Sequence, residues 1–258
     1  MPAGGKSLDR LLSRAGLCSR TDAQAWIRAG RVTVNGRVLR DPEAWVDIVR
    51  DKVVVDGELL RARPKEVWVM HKPIGYVTTT DDEHGRDTVY SLLPAELTWL
   101  APIGRLDLDS SGLLLFTNDS DLAAGITDPK SKLPKVYEVR CKGPLPDAAL
   151  QQLRDGVQLQ DGMTMPARID RLEDDDRSTR LRIEIVEGRN RQIRRMLMAV
   201  GSRVQTLHRV RIGPLELGEH PEGASRRLSP EETAALRAAV NERRAANSSQ
   251  DAARRRSH

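Results

Sequence analysis

Apolar residues recur at helical spacing from the start of the chain. Leu8, Leu11, Leu12 and Ala15 fall at i, i+3, i+4 and i+7, which predicts a short helix stopped by Gly16. Ser19-Arg20-Thr21-Asp22 offers capping side chains for a second helix, with Ala23, Trp26 and Ile27 on its apolar face and Gly30 at its end. The pattern then changes to alternation. Val32, Val34 and Val38 flank Asn35-Gly36, and the stretch from Val53 to Leu59 contains Asp56-Gly57; such pairs supply the positive φ angles of two-residue hairpin turns. Arg63-Pro64-Lys65 has the composition of a short linker. Beyond it the chain is strand-rich: Val67 to Met70 and Leu113 to Phe116 are apolar runs, Lys135 to Arg140 alternates, and Leu181, Ile183 and Ile185 alternate with Arg182 and Glu184. Residues 146–153 and 191–200 return to helical spacing. Ser229-Pro230-Glu231-Glu232 combines a cap, a proline at the first helical position and acid in the first turn. The predicted fold class is α+β, with a small module over 6–62, a larger mixed domain over 66–240 and a basic tail over 241–258 that is expected to be disordered.

Composition narrows the function. The longest apolar runs are far shorter than the roughly 18 residues of a membrane helix, so no membrane partner is expected. Cys18 and Cys141 form neither a disulfide framework nor a metal site, and the amino terminus lacks an apolar signal core; a cytoplasmic protein is expected. The net charge is +5, carried by 42 basic residues against 37 acidic ones. Arg outnumbers Lys by 34 to eight. Arginine forks suit phosphate and base edges, which favours nucleic acid, although a GC-rich genome produces the same excess. With four Trp, three Tyr and one Phe the chain has too few rings to stack base after base along a single strand. Gly104 and Gly112 fit neither nucleotide-binding fingerprint, so no nucleotide cofactor is expected.

Three segments carry groups that can do chemistry. In Gly104-Arg105-Leu106-Asp107-Leu108-Asp109 a carboxylate sits beside an arginine at the mouth of an apolar strand, where a cation keeps it ionised for use as nucleophile or base; a simple turn role for Asp107 or Asp109 fits the same residues. In Lys135-Val136-Tyr137-Glu138-Val139, Tyr137 faces the opposite side from its neighbours and suits either the core or the floor beneath a flat ring. In Glu187-Gly188-Arg189-Asn190-Arg191-Gln192-Ile193-Arg194-Arg195 a helix opens on four arginines, against its own dipole, which calls for an external phosphate or an internal carboxylate nearby. Arg10, Arg14, Arg20, Arg28, Arg31 and Arg37 occupy polar positions of the first module and form either an RNA-facing set or a solvated face.

The first module, from Leu8-Asp9-Arg10-Leu11-Leu12 through Val34-Asn35-Gly36, resembles the alpha-L RNA-binding module. The three chemical segments, together with His71-Lys72-Pro73-Ile74-Gly75 and Leu207-His208-Arg209-Val210-Arg211-Ile212-Gly213, resemble the bacterial ribosomal pseudouridine synthases. The resemblance implies a mainly antiparallel sheet and isomerisation of a uridine in ribosomal RNA, without metal or organic cofactor, by a monomer. It implies Asp107 as the catalytic aspartate, Arg105 as the residue that displaces or replaces the target nucleotide, and Tyr137 as the ring beneath the target base. It further implies Arg194 as the basic partner of the aspartate and Leu207 as the apolar residue beside it, while Arg189 and Arg191 of the arginine-rich turn are expected to contact RNA. A non-catalytic ribosomal RNA-binding protein is the alternative; the joint presence of Asp107, Tyr137 and Arg194 argues against it. Glu173-Asp174-Asp175-Asp176 is expected to be a solvated hairpin loop.

Overall fold

The computed structural model describes residues 5–256 apart from Gly16, Ser19, Ala62, Arg63, Asp81 and Thr98, and for 247–256 the backbone only. The helix stop at Gly16, the cap at Ser19 and the start of the linker therefore lie outside the described residues. The chain divides into two compact units, one comprising residues 1–66 and 94–101 and the other residues 67–93 and 102–258.

In the smaller unit, helices α1 (Leu8–Arg14) and α2 (Arg20–Arg28) pack over a four-stranded sheet ordered β2-β1-β3-β4, where β1 is Val32–Val34, β2 Arg37–Val38, β3 Val53–Val55 and β4 Glu58–Leu59. Both hairpins turn where expected: Asn35 and Gly36 have φ of 52° and 80°, Asp56 and Gly57 of 50° and 88°. Leu8, Leu12, Ala23, Ile27, Val32 and Val53 form its core. Beneath α1, the Asp9 carboxylate is fully buried and accepts hydrogen bonds from Ser7 Oγ (2.7 Å), the Arg10 amide (2.6 Å), Arg20 Nε (2.7 Å) and Gln24 Nε2 (2.8 Å).

The larger unit is built on a mixed sheet whose main path is β8-β9-β7-β10-β6-β5-β11. Its strands are β5 (Val67–Lys72), β6 (Ser111–Thr117), β7 (Lys135–Lys142), β8 (Arg168–Asp175), β9 (Ser178–Ile185), β10 (Val204–Ile212) and β11 (Ser225–Arg227). All these pairings are antiparallel except β10 with β6. Gly112 is needed at that parallel contact: with φ of +107°, a Cβ there would lie 2.3 Å from the Arg209 carbonyl oxygen. Helices α4 (Asp147–Asp155) and α5 (Gln192–Ala199) cover one half of the sheet, burying Leu150, Leu153, Ile193 and Leu197 against Val139, Leu181, Ile183 and Leu207. Helices α3 (Ser120–Thr127) and α6 (Pro230–Arg256) cover the other half through Leu122, Ile126, Leu236 and Val240.

Helix α6 opens with a reciprocal capping box. Glu232 N donates to Ser229 Oγ at 3.1 Å, and Ser229 N donates to the Glu232 carboxylate at 2.8 Å. The helix continues to Arg256, so the backbone over 241–256, expected to be disordered, is helical; residues 257–258 of the expected tail lie outside the described residues. That stretch lacks apolar periodicity, but it is rich in Ala and Arg and carries no Gly or Pro, so its intrinsic propensity extends a helix already started. The acidic run also differs from expectation. Glu173 to Asp175 belong to β8, held by Arg180, Arg171 and Arg140 respectively.

Candidate active site

Asp107 lies in the loop that enters β6, and the backbone of that loop is fixed from beneath. Lys72, at the end of β5, is completely buried, and its Nζ donates to the carbonyl oxygens of Pro73 (2.9 Å), Asp107 (3.1 Å) and Ser110 (2.8 Å). Thr78 Oγ1 donates to Leu106 O at 2.8 Å and accepts from Leu106 N at 3.3 Å, and Gly75 N donates to Leu108 O at 2.8 Å. Burial, aided by the positive charge of Arg209, pushes the Lys72 ammonium down to about 8 against the opposing pull of Asp107 and Asp109. The main chain is held, so the Asp107 side chain, half-buried, is free to face outward from a rigid loop.

The arginines that open α5 supply the cations. Arg191, in a left-handed conformation at the N-cap (φ 46°), reaches Asp107 at 3.4 Å and Asp109 at 3.1 Å. Arg194 binds Asp109, through the carboxylate at 3.0 Å and the carbonyl at 2.8 Å, and contacts Ser110 Oγ at 3.2 Å. Arg191, expected to face RNA, is the guanidinium within ion-pair distance of Asp107, whereas Arg194 bonds to the neighbouring Asp109 and acts on Asp107 through its charge. Arg189 is likewise used internally, with its guanidinium on Glu187 (3.1 Å) and on the main-chain oxygens of Asp161, Gly162 and Met163. Of the two explanations for an arginine-rich helix start, internal carboxylates are therefore present: Asp107, Asp109, Asp161 and Glu187 all meet these side chains. Burial opposes ionisation of Asp109, but the hydrogen bond from Arg191 and the charges of Arg194 and Arg191 outweigh it, holding this carboxyl below its ordinary value.

Tyr137, half-buried on β7, lies in register with Ile183 on one side and Arg209 on the other, on the sheet face covered by α5. Leu207 is buried on the same face, opposite Val139. Arg105 is exposed, and no hydrogen bond ties it to any of the described residues. In the smaller unit Arg20 is tied by Nε to Asp9, and Arg31 binds Asp56 at 3.0 Å while lying 4.3 Å over the Trp26 ring. Arg10, Arg14, Arg28 and Arg37 make no side-chain hydrogen bond among the described residues, with Arg10, Arg28 and Arg37 exposed. Lys72, Thr78 and Asp109 were the supporting residues that pattern reading did not assign. Their partners are carbonyls or side chains about 30 to 80 residues distant, and of the three only Asp109 lies in a segment singled out for its chemistry.

Replacing Lys72 by Met should lower stability by about 2 kcal/mol, since three buried carbonyls lose their donor. Chemical denaturation of the purified variant measures this; an unchanged midpoint would mean the loop does not depend on Lys72.

The match of residues 66–199 to the family model described as RNA pseudouridylate synthase covers this whole constellation from Lys72 to Arg194, and residues 6–53 match the S4 domain. The chain belongs to the RNA pseudouridylate synthase family. This synthase is 37% identical over 234 residues to an uncharacterized RNA pseudouridine synthase of Aquifex aeolicus, covering 90% of this chain and 94% of that one. It is 36% identical over 234 residues to ribosomal large subunit pseudouridine synthase B of Bacillus subtilis, with 90% and 95% covered. A solved crystal structure of a pseudouridylate synthase superposes with a TM-score of 0.65 at 30% identity, covering 90% of this chain and 99% of that one. These findings support the enzyme, an isomerase, over the non-catalytic RNA binder. Among the described residues of the synthase, no helix is long and apolar enough to cross a membrane, and no group of three His, Cys, Asp or Glu side chains is placed to hold a metal.

Proposed function

We propose that this synthase isomerises a uridine of large-subunit ribosomal RNA in the cytoplasm, acting as a monomer with Asp107 as its catalytic residue. The observation that carries the reading is the half-buried Asp107 carboxylate beside Arg191 on a loop whose backbone is locked by Lys72 and Thr78. An ionised carboxylate on a rigid frame suits nucleophilic or proton-transfer work at the target nucleotide. The relatives named for the large ribosomal subunit support the substrate. A uridine stacked in a helix is out of reach of Asp107, so it must be flipped at a cost of a few kcal/mol. Exposed Arg105 is suited to the space the base vacates, and Tyr137 to the face of the flipped ring. Arg194 serves the site through Asp109, and Leu207 packs beside it. Arg10, Arg14, Arg28 and Arg37 are suited to phosphates of structured RNA, with Arg20 and Arg31 contributing what their internal bonds leave exposed. Isomerisation leaves the atom count and oxidation state of the nucleotide unchanged, so the reading calls for no cofactor.

Comparing pseudouridines in both ribosomal RNAs from cells with and without the gene should show one position lost from the large-subunit RNA and regained on complementation. Loss from the small-subunit RNA alone would overturn the substrate assignment while leaving the isomerase intact.

A further inference from the structure

Arg209 is 5% exposed, and its Nε is fixed by a hydrogen bond to Leu113 O at 2.8 Å, yet its Nη2 is buried with no hydrogen-bond partner among the described residues. The side chain of Lys135, two positions before Tyr137 on the same face of β7, has neither a hydrogen bond nor an ion pair among the described residues. Arg209 is the residue paired with Tyr137 across the β7–β10 ladder, and its charge is felt by both Lys135 and Lys72. Burial, reinforced by Arg209, pushes the Lys135 ammonium down to about 8. Desolvated cations without counter-ions are costly, and structural arginines and lysines in sheets ordinarily carry a carboxylate. Arg191 and Arg194 already hold Asp107 and Asp109, although Arg194 Nε too is buried without a partner among the described residues.

We propose that Arg209, assisted by Lys135, is a catalytic residue that binds a carbonyl oxygen of the target uracil and stabilises the negative charge the base acquires when it leaves the sugar. The inference rests on the isomerase reading with Asp107 at its centre. When the C1′–N1 bond breaks, its electron pair goes to N1 and is shared with the carbonyl oxygens at C2 and C4. When C5 joins C1′, the ring loses the C5 proton and N1 takes up a proton, so the base ends neutral with no atom gained or lost. An aspartate can answer positive charge at C1′ but not this anion. The unengaged guanidinium edge beside Tyr137 meets the base at the moment its charge develops, which is where a preorganised donor has most effect. A phosphodiester fits the position less well. It stays on the polymer backbone, whereas Arg209 is sunk in the sheet, 5% exposed, at the ladder position paired with Tyr137.

The test is single-turnover kinetics on large-subunit ribosomal RNA with the full-length protein, alongside RNA affinity and thermal stability. Arg209→Gln should slow isomerisation by about 100-fold while RNA affinity stays within about threefold, and Arg209→Lys should recover part of the rate. Lys135→Met should slow the reaction by about tenfold while Tm stays level or rises, because an unpaired desolvated charge has been removed; this keeps the test decisive where Arg209→Gln does not fold. Unchanged rates in both variants would overturn the proposal, as would a lower Tm in Lys135→Met. Weakened RNA binding with a smaller salt dependence would overturn it in favour of a phosphate contact. A wild-type protein that forms no pseudouridine would instead bring down the isomerase reading, and this proposal with it.

Discussion

Asp107→Asn should abolish pseudouridine formation and leave the protein folded and able to bind RNA. The substitution is isosteric, and the loop does not depend on the carboxylate: Lys72 and Ser110 hold Asp107 through its main-chain oxygen, and among the described residues the side chain hydrogen-bonds only to Arg191, at 3.4 Å. The 34% exposure of the side chain means that an amide there remains hydrated, with no buried charge orphaned. Stability should therefore change by less than about 1 kcal/mol. The single-turnover rate should fall by at least about a thousandfold, the scale on which a nucleophile or proton-transfer group contributes. Chromatography of nuclease-digested RNA reads the product, and filter binding reads the affinity. Isomerisation at a rate near that of the wild type would remove Asp107 from the chemistry and shift attention to Asp109, the other carboxylate gripped by α5.

Parts of this arrangement were legible in the chain because the determinants are local. Asn35-Gly36 and Asp56-Gly57 announce hairpins by their own backbone preference, and Ser229 to Glu232 announces α6 by a box closed within four residues. The site segments could be recognised as segments, since Asp107, Tyr137 and the arginines of α5 sit in short distinctive strings. Their partnerships could not. Which arginine meets Asp107 depends on the left-handed backbone at Arg191, and nothing in Arg-Asn-Arg-Gln-Ile-Arg-Arg distinguishes that geometry from a helix begun one residue earlier. Lys72 and Thr78 act on carbonyl oxygens, which every residue carries, so no side-chain pattern marks their targets. The unengaged Nη2 of Arg209 is a property of the assembled sheet, because its lack of a partner among the described residues follows from what β6 and β7 place around it. The continuation of α6 is hidden for the opposite reason: propensity and not periodicity decides it, as a helix already capped and docked extends through Ala- and Arg-rich sequence without an apolar face.

Asp9→Ala should destabilise the smaller unit by about 3 kcal/mol. The carboxylate has no exposed surface, and it is the shared acceptor for α1 through Ser7 and Arg10 and for α2 through Arg20 and Gln24. Truncation leaves the Gln24 amide and the Arg10 N–H facing a cavity, while Arg20, about half exposed, can turn to water. That relief keeps the loss below the upper range for breaking a fully buried pair. Burial alone would raise the Asp9 pKa, but the hydrogen bonds from Gln24, Ser7, Arg20 and the Arg10 amide prevail and hold it well below its ordinary 3.8. A carboxyl depressed in the folded state stabilises fully above its unfolded pKa, and this contribution is lost as pH falls through the folded one. The wild-type unit should therefore lose stability as pH falls below about 4, whereas Asp9→Ala should show a flatter acid limb and a lower plateau at neutral pH. Hydrogen exchange of the α1 and α2 amides in the full-length protein, followed from neutral pH to the acid limb, separates this from global unfolding. Equal protection in both proteins would mean that α1 and α2 are held by Leu8, Leu12 and Ile27 alone. On the proposed RNA-facing role of Arg20, whose guanidinium Asp9 orients, the variant should also bind structured RNA more weakly at low salt.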